Sequence, residues 1–519
     1  MLDATALLRG YAKLRHTKVA WRTAAEHQRR QLLALVSQAA GTAFGRDHGF
    51  STIKTVEDYQ RQVPLRDFEA FKREYFDAAF PVLTDVTWPG TIPYFAASSG
   101  TSSGRTKHIP VSAAMLRSNN RAGTDLLAHH VRARPDSNVL AGKSFMLGGS
   151  VAMETLADGV KVGDLSGIAR LERPRWGESF VFPSMEEALD ADWESKIDKL
   201  ARLSLREDIR VLASTPSWLL LFLDRLAEIT GRTGAARDFY PHLDLMVYGG
   251  MSFAPYRDAF RRWFPEGAEG EVDWREVYSA SEGFVASADR GVDDGLALNL
   301  DIGLFFEFVP VADLEATEPQ RYWVGNAPAG EYALIMTTCA GLWSYIIGDT
   351  VEFIPGTMPR VKVTGRTSYY LSAFGEHLSA AELERAVLTA SDVIGEQVSE
   401  YAVTALYPDS NRSAGQHLFV VELHSGDPGA AARAQFESVL DQTLAGNNED
   451  YQVHRDKDYQ LLPPAVVFCG AGAFADWMRE RGKLGGQNKV PRVALKDPVR
   501  SDLMRLASQW GPVSEDTHG

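Results

Sequence analysis

The sequence predicts an α/β protein, with a large N-terminal α/β domain built on mostly parallel sheets and a small C-terminal α+β domain. Three observations carry that expectation. Strand and helix patterns alternate from about residue 205 to 282. The first ninety residues read as helices, from Ala4 to about Ala43, followed by a stretch punctuated by Pro64 and Pro81. Beyond Arg366 the texture changes to a shorter mixture of strands and helices, about the size of an independent domain. A chain of 519 residues is too long for one hydrophobic core. The expected domains are 1–366 and 367–519.

After the helical opening, Tyr94-Phe-Ala-Ala reads as a strand, and Gly104 to Pro110 alternates like a second one. Between them lies the most informative run in the chain, Ser98-Ser99-Gly100-Thr101-Ser102-Ser103-Gly104-Arg105-Thr106-Lys107. Glycines let backbone N–H groups close on an anion, hydroxyls add donors, and Lys107 supplies the charge a polyphosphate needs. Two rivals fail. Gly100-Thr-Ser102-Ser-Gly104 fits the spacing of a nucleophile elbow, but that motif requires a helix directly after the serine, and Pro110 forbids a helix interior there. No P-loop pattern occurs anywhere in the chain.

Ile209-Arg-Val-Leu-Ala reads as a buried strand leading into Thr215-Pro216, an N-cap with proline at the first helical position, and an apolar helix around Trp218 to Leu226. Leu243 to Tyr248 is the next strand, followed by Gly249-Gly250 and a helix carrying Tyr256 to Trp263. Trp274 to Tyr278 is the third strand, with Ser279-Ala-Ser281-Glu282 just past it. Units of this length imply right-handed crossovers, and ligands of such sheets gather beyond the carboxyl ends of the strands. Three loops therefore point to one crevice.

Their chemistry suits a nucleotide, although each has a plainer reading. Gly249-Gly250 permits close approach of a flat ligand, or simply turns a strand into a helix. Tyr278 offers an aromatic face, or packs. Glu282 is a hard-oxygen ligand of the kind Mg²⁺ takes beside phosphates, or a solvated loop acid. Asp349, after Gly348 at an expected strand end, suits ribose hydroxyls, or an Asx-type turn. Further on, Ser379-Ala-Ala-Glu382 is a capping box opening a helix to about Leu388. Strands are expected near Tyr401–Tyr407, His417–Leu423 and Ala465–Phe468, with a helix through Ala430 to Leu444. Lys489 stands between Gly485-Gly486 and Pro491 on a segment that cannot become helix.

Composition excludes several classes. A net charge of −14 argues against nucleic-acid or anionic-membrane partners. The opening is not that of a signal peptide, and no 18-residue apolar run exists. Cys339 and Cys469, far apart and in apolar surroundings, suit a reducing, cytoplasmic setting. Twelve histidines show no zinc-ligand spacing, and His129-His130 reads as a pair on a helix surface.

The set Ser98 to Pro110, Tyr278-Ser-Ala-Ser-Glu282, Tyr345-Ile-Ile-Gly-Asp349 and Gln487-Asn-Lys489-Val-Pro-Arg492 resembles the adenylate-forming enzymes. More narrowly, it resembles the Gretchen Hagen family of acyl acid amido synthetases. The resemblance implies an adenylation domain followed by a mobile lid domain carrying Lys489. It also implies an ATP-dependent ligase: a carboxylic acid becomes an acyl-AMP with release of pyrophosphate, then passes to an amine, commonly an amino acid. By resemblance Ser98, Ser99, Gly100, Thr101, Ser102 and Lys107 hold the β- and γ-phosphates. By the same resemblance Tyr278 packs on adenine, Ser281 touches phosphate, Glu282 helps bind Mg²⁺, Asp349 grips the ribose and Arg366 assists at the domain junction; Gly249 and Gly250 are nucleotide candidates on their own reading, for a base or a ribose. Lys489 bridges carboxylate and α-phosphate, while Thr215 and Trp218 are candidates for the acyl pocket. Where the plant pattern reads Tyr-Arg-Val-Gly-Asp, this chain lacks the arginine. ATP and Mg²⁺ are the expected cofactors, small acids and amines the expected partners, and a monomer or weak homodimer the expected state. An acyl-CoA ligase using a thiol acceptor, or a non-catalytic nucleotide-binding homologue, are the alternatives.

Overall fold

The computed structural model describes residues 3–511, apart from 21, 100–105, 149–151, 174, 189–192, 233, 251–252, 254–255, 266–271, 291–293, 315, 368–370, 372, 375, 377, 408–414, 449–450, 453–454, 456–460, 484–488 and 496. The chain folds as two compact units, 1–363 and 364–519. Arg366, the expected end of the first domain, lies three residues past that division.

The first unit opens with the helices Thr5–Ala20, Ala24–Ala39 and Ala43–Asp47. Thr23 caps the second through a complete capping box with Glu26, and Leu32, Leu35, Val36 and Ala39 bury one face of it. A four-stranded sheet follows, with the hairpin Tyr94–Ser99 and Thr106–Val111 at one side. The main sheet has twelve strands. In one half the strands Val181–Phe182, Lys143–Met146, Ile209–Ser214, Leu245–Gly249 and Asp273–Ala280 run parallel. The expected strand–helix alternation is present there, with the helices Pro216–Thr230 and Arg257–Arg261 between strands.

The other half departs from the mostly parallel sheet expected. Gly283–Ser287 turns back on Asp273–Ala280 and pairs antiparallel with Leu296–Leu298, which pairs antiparallel with Arg360–Arg366; beyond it in the sheet come Tyr345–Ile354, Gly330–Thr338, Leu304–Val309 and Tyr322–Trp323, each antiparallel to the one before from Tyr345–Ile354 outward. The reason is connection length. A crossover helix needs a dozen or more residues, whereas Ser281 and Glu282 alone join the first of these strands.

His130 corrects another expectation. It lies on the helix Ala113–Ala133 but is fully buried, with Nδ1 2.8 Å from Asp273 Oδ2 and Nε2 2.9 Å from Ser137 Oγ. The helix is clamped to the amino ends of two adjacent parallel strands, which begin at or just after Asp244 and Asp273.

The second unit is a three-stranded sheet, with Val398–Leu406 antiparallel and Ala465–Cys469 parallel to the central Gln416–Leu423. The helices Ala380–Ile394 and Ala430–Asn447 pack together over it. Ser379 and Glu382 form the expected capping box. Cys339 and Cys469 are buried, and burial pushes each thiol up to about 12. No helix among the described residues is long and apolar enough to cross a membrane.

Candidate active site

The serine-rich run starts and ends on two strands that pair antiparallel. Ser98 lies opposite Lys107 and Ser99 opposite Thr106, so a strand, not a helix, follows the loop, and the nucleophile elbow is excluded. Gly100, Thr101 and Ser102 lie outside the described residues. Lys107 is half-buried, and its Nζ sits 5.8 Å from the centroid of the Phe68 ring.

The acidic residues come from the other sheet. Ser281 and Glu282 are the two central residues of the tight turn between Asp273–Ala280 and Gly283–Ser287, and both are buried. Gly283 closes that turn at φ 155°, a conformation reserved for glycine. Glu282 Oε1 accepts a hydrogen bond from Tyr345 Oη at 3.2 Å. Burial pushes its carboxyl above the usual range, and the charge of Asp349 pushes the same way; Lys107 and Tyr345 pull against them. A cation from the hairpin and an acid from the main sheet thus feel each other directly.

Asp349 is not at a strand end, as expected, but within the strand Tyr345–Ile354. Ala333 pairs with Thr350 and Ile335 with Ile346, so Ile347, Gly348 and Asp349 face the single residue Leu334. This bulge, with Gly348 at φ 90°, redirects the backbone at the acid. Asp349 Oδ2 accepts a hydrogen bond from Tyr278 Oη at 2.6 Å. Tyr345 was not foreseen as part of the site. Its signal was available, because residues 345, 347 and 349 alternate onto one buried face.

The other residues of the parallel half divide. Gly249 ends its strand with the neighbouring backbone against it: a Cβ there would lie 2.2 Å from the carbonyl oxygen of Val277. Packing alone therefore requires that glycine. Gly250 follows at φ 83°, with Thr215 Cγ2 3.6 Å from where its Cβ would be. Thr215 occupies the N-cap of Pro216–Thr230 without a capping hydrogen bond from its side chain. Trp218 is half-buried and packs against the apolar core beneath the parallel strands.

In the second unit, Arg366 ends the strand Arg360–Arg366 with a half-buried side chain. Lys489 is exposed. Three residues on, Arg492 is fixed: its guanidinium stacks 4.4 Å from the Tyr401 ring centroid and donates to Glu400 and, at 2.9 Å, to the Tyr401 carbonyl. Val403 N–H donates to the Arg492 carbonyl, and Ala494 N–H to the Val403 carbonyl, each at 2.8 Å. Lys489 hangs on a short tether from that anchor.

Among the described residues no cluster of three or more acids, histidines or cysteines forms a ready metal cage. Mg²⁺ does not need one: it takes one or two carboxylates and completes its shell with substrate phosphate oxygens and water. A single buried carboxylate such as Glu282 fits that demand.

Three models of one family match the chain: the GH3 family N-terminal domain over residues 13–268, the central domain over 297–366 and the C-terminal domain over 381–498. A probable indole-3-acetic acid-amido synthetase of Arabidopsis thaliana is 28% identical over 208 residues, 38% of this chain and 34% of that protein. An indole-3-acetic acid-amido synthetase of Oryza sativa subsp. indica is 26% identical over 298 residues, 52% of this chain and 46% of that one. The matched stretches thus span about a third to a half of these relatives. Over nearly the whole chain the fold is that of two solved structures. One is the GH3.15 acyl acid amido synthetase, with TM-score 0.76, 18% identity, and 92% of this chain and 93% of that one covered. The other is a 2-hydroxyisobutyryl-CoA ligase in the postadenylation state, with TM-score 0.61, 16% identity, and 92% and 91% covered.

Proposed function

The chain belongs to the GH3 family, and on that premise we propose that it is an ATP-dependent acyl acid amido synthetase. What supports the proposal is that Lys107, beside the serine-rich run, lies within electrostatic range of Glu282, which also feels the charge of Asp349, the partner of Tyr278. A cation within range of a buried acid, beside a run rich in donors, is what a triphosphate with its counter-ion requires.

A carboxylate is a poor acyl donor because its leaving group would be oxide. In the first half-reaction a carboxylate oxygen attacks the α-phosphorus of ATP, and the bond to the bridging oxygen of pyrophosphate breaks. In the second, an amine nitrogen attacks the acyl carbon, AMP leaves with the shared oxygen, and the amine gives up a proton. Positioning and charge stabilisation dominate both steps. Lys107 and the hairpin hydroxyls of Ser98, Ser99, Thr101 and Ser102, with Gly100, hold the β- and γ-phosphates, and Ser281 donates to phosphate. The Tyr278 hydroxyl donates to Asp349, and we assign that carboxylate to the ribose hydroxyls. Glu282 would hold Mg²⁺, which when bound would neutralise phosphate charge. Lys489 we assign, by family resemblance, to the α-phosphate and the attacking carboxylate, and Arg366 to the nucleotide. Residues 1–366 would carry adenylation and 367–519 the lid. The two buried thiols are in keeping with a cytoplasmic setting.

The test is pyrophosphate release over a panel of aryl, indolyl, fatty and hydroxy acids, followed by amino acids and coenzyme A as acceptors for each hit. An amide product is expected. A thioester product would make the protein an acyl-CoA ligase, and ATP binding without pyrophosphate release would make it a non-catalytic homologue.

A further inference from the structure

The segment that carries Lys489 is tied down on its carboxyl side, and the tie runs through one acid. The strand Val398–Leu406 pairs with Gln416–Leu423 on one edge and takes residues 492–494 on the other, Val403 bridging Val493 in parallel. Beyond the two backbone bonds of Val403, the Thr404 hydroxyl donates to the Ala494 carbonyl at 2.6 Å. Those bonds begin at Arg492. The direction in which the chain leaves toward Lys489 therefore depends on how that residue is held.

Its guanidinium is held by Glu400. Arg492 Nη1 donates to Glu400 Oε1, which also accepts the backbone N–H of Tyr401 at 3.1 Å. The two side chains are 21% and 14% exposed, so the pair sits largely out of water and removing either partner is costly.

Glu400 owes its place to a bulge. Val398 pairs with Leu423 and Glu400 with Glu422, so two steps on one strand meet a single step on the other. Val398 and Tyr401 accordingly share one apolar face, three residues apart, where strict alternation would separate them. Glu400 is turned to the opposite face, with Ala402, and comes to lie directly across from Glu422. Like charges facing one another across two strands repel. Each acid is answered separately: Glu422 accepts the N–H of Phe474 at 2.9 Å, and Glu400 accepts Arg492. The bulge thus makes a socket for one guanidinium, against a repulsion that packing alone would not incur.

The link from Arg492 to Lys489 is short and stiff. Three residues span at most about 10 Å. Pro491 has a fixed φ and restricts Val490 before it, and Val490 packs on the core of the same face as Ala402. A displaced Arg492 would carry Lys489 with it.

We infer that Glu400 is a positioning residue for adenylation, fixing through Arg492 where Lys489 presents its ammonium. This rests on the assignment of Lys489 above. Glu400 acts only through that lysine, so its effect vanishes once the lysine is gone.

Two measurements on the full chain test it. Hydrogen exchange followed by mass spectrometry reads the anchor without substrate. In Glu400→Gln, which keeps the shape and removes the charge, amides of residues 490–494 should exchange at least tenfold faster, while those of Gln416–Leu423 stay as in the wild type. Pyrophosphate exchange, with the best acid of the panel above, is then compared in the wild type, Glu400→Gln, Lys489→Ala and the double variant. Glu400→Gln should slow it by about 10- to 10²-fold, up to the scale for a misplacement of about 1 Å, with the KM for ATP little changed. Glu400→Asp should recover part of the rate. Added to Lys489→Ala, Glu400→Gln should cost nothing further. Unaltered hydrogen exchange at 490–494 denies the anchor and overturns the inference. So does a loss that multiplies fully in the double variant, or a slow Lys489→Ala beside an unchanged Glu400→Gln. A wild-type rate in Lys489→Ala instead removes the assignment of Lys489, and the inference with it.

Discussion

The phenol of Tyr345 donates to the buried carboxylate of Glu282 at 3.2 Å, four residues before Asp349, whose charge raises the same carboxylate. One strand therefore both steadies and perturbs the acid assigned to Mg²⁺. Proton and metal compete for Glu282, and its elevated carboxyl moves that competition toward neutral pH.

From this follows a shift in metal demand. Half-saturating Mg²⁺ for pyrophosphate exchange should rise as pH falls through the elevated range of Glu282. In Tyr345→Phe, which removes a hydrogen bond favouring the charged form, the acid limb should move to higher pH. Glu282→Gln should need more Mg²⁺ at every pH. Exchange rates measured over a grid of pH and Mg²⁺ decide it; an unchanged metal requirement in Glu282→Gln would reduce the residue to a buried turn acid.

Lys489→Ala should slow adenylation by about 10²–10³-fold, the scale for losing one preorganised charge partner. Because Lys489 is exposed, the melting temperature should scarcely move. Pyrophosphate exchange at the wild-type rate would remove Lys489 from the reaction.

His130 predicts a pH-dependent stability separate from activity. Burial works against its charge, but hydrogen bonds to Asp244 and Asp273 outweigh burial and raise its pKa above 6.5. A raised histidine contributes stability that is complete below its unfolded value and lost as pH climbs through the folded one. Both aspartates are lowered by His130 despite their burial, so their share is present above the ordinary carboxylate range and lost in acid. The clamp is strongest between those limits. Calorimetry should show stability declining from about pH 6.5 upward. His130→Leu should flatten that slope and cost about 3 kcal/mol, the low end for breaking a buried pair, since Arg275 still meets Asp273 at 2.8 Å. A slope unchanged in the variant would place the titration elsewhere.

Gly249→Ala separates packing from ligand approach. A methyl 2.2 Å from the Val277 carbonyl forces neighbouring strands apart. The expected result is a lower melting temperature, by several degrees, in the absence of any nucleotide. Unaltered stability with a raised KM for ATP would instead assign the glycine to the base.

The hairpin, the parallel strands and the Ser379 cap were legible because each rests on local signals: period-two alternation, proline before a helix, a hydroxyl three residues from an acid. The antiparallel half was not. Its strands from Gly283 to Thr338 are buried almost throughout, without the alternation that marks a half-exposed strand. Asp349 was placed at a strand end rather than within the strand, because the bulge there depends on its pairing with Gly330–Thr338. His130 was assigned to a surface because its partners, Asp244 and Asp273, lie more than a hundred residues away.

The pairing of Ser98 with Lys107 has a consequence for how this hairpin tolerates change. The ladder on either side of residues 100–105 is set by that register alone. Deleting one residue inside Thr106–Val111 would shift it. Side chains would trade faces all along that strand, turning the ammonium away from the acid and presenting Thr106 or His108 instead. The charge of Lys107 is thus held in place by parity, and a single codon lost within Thr106–Val111 should abolish nucleotide binding.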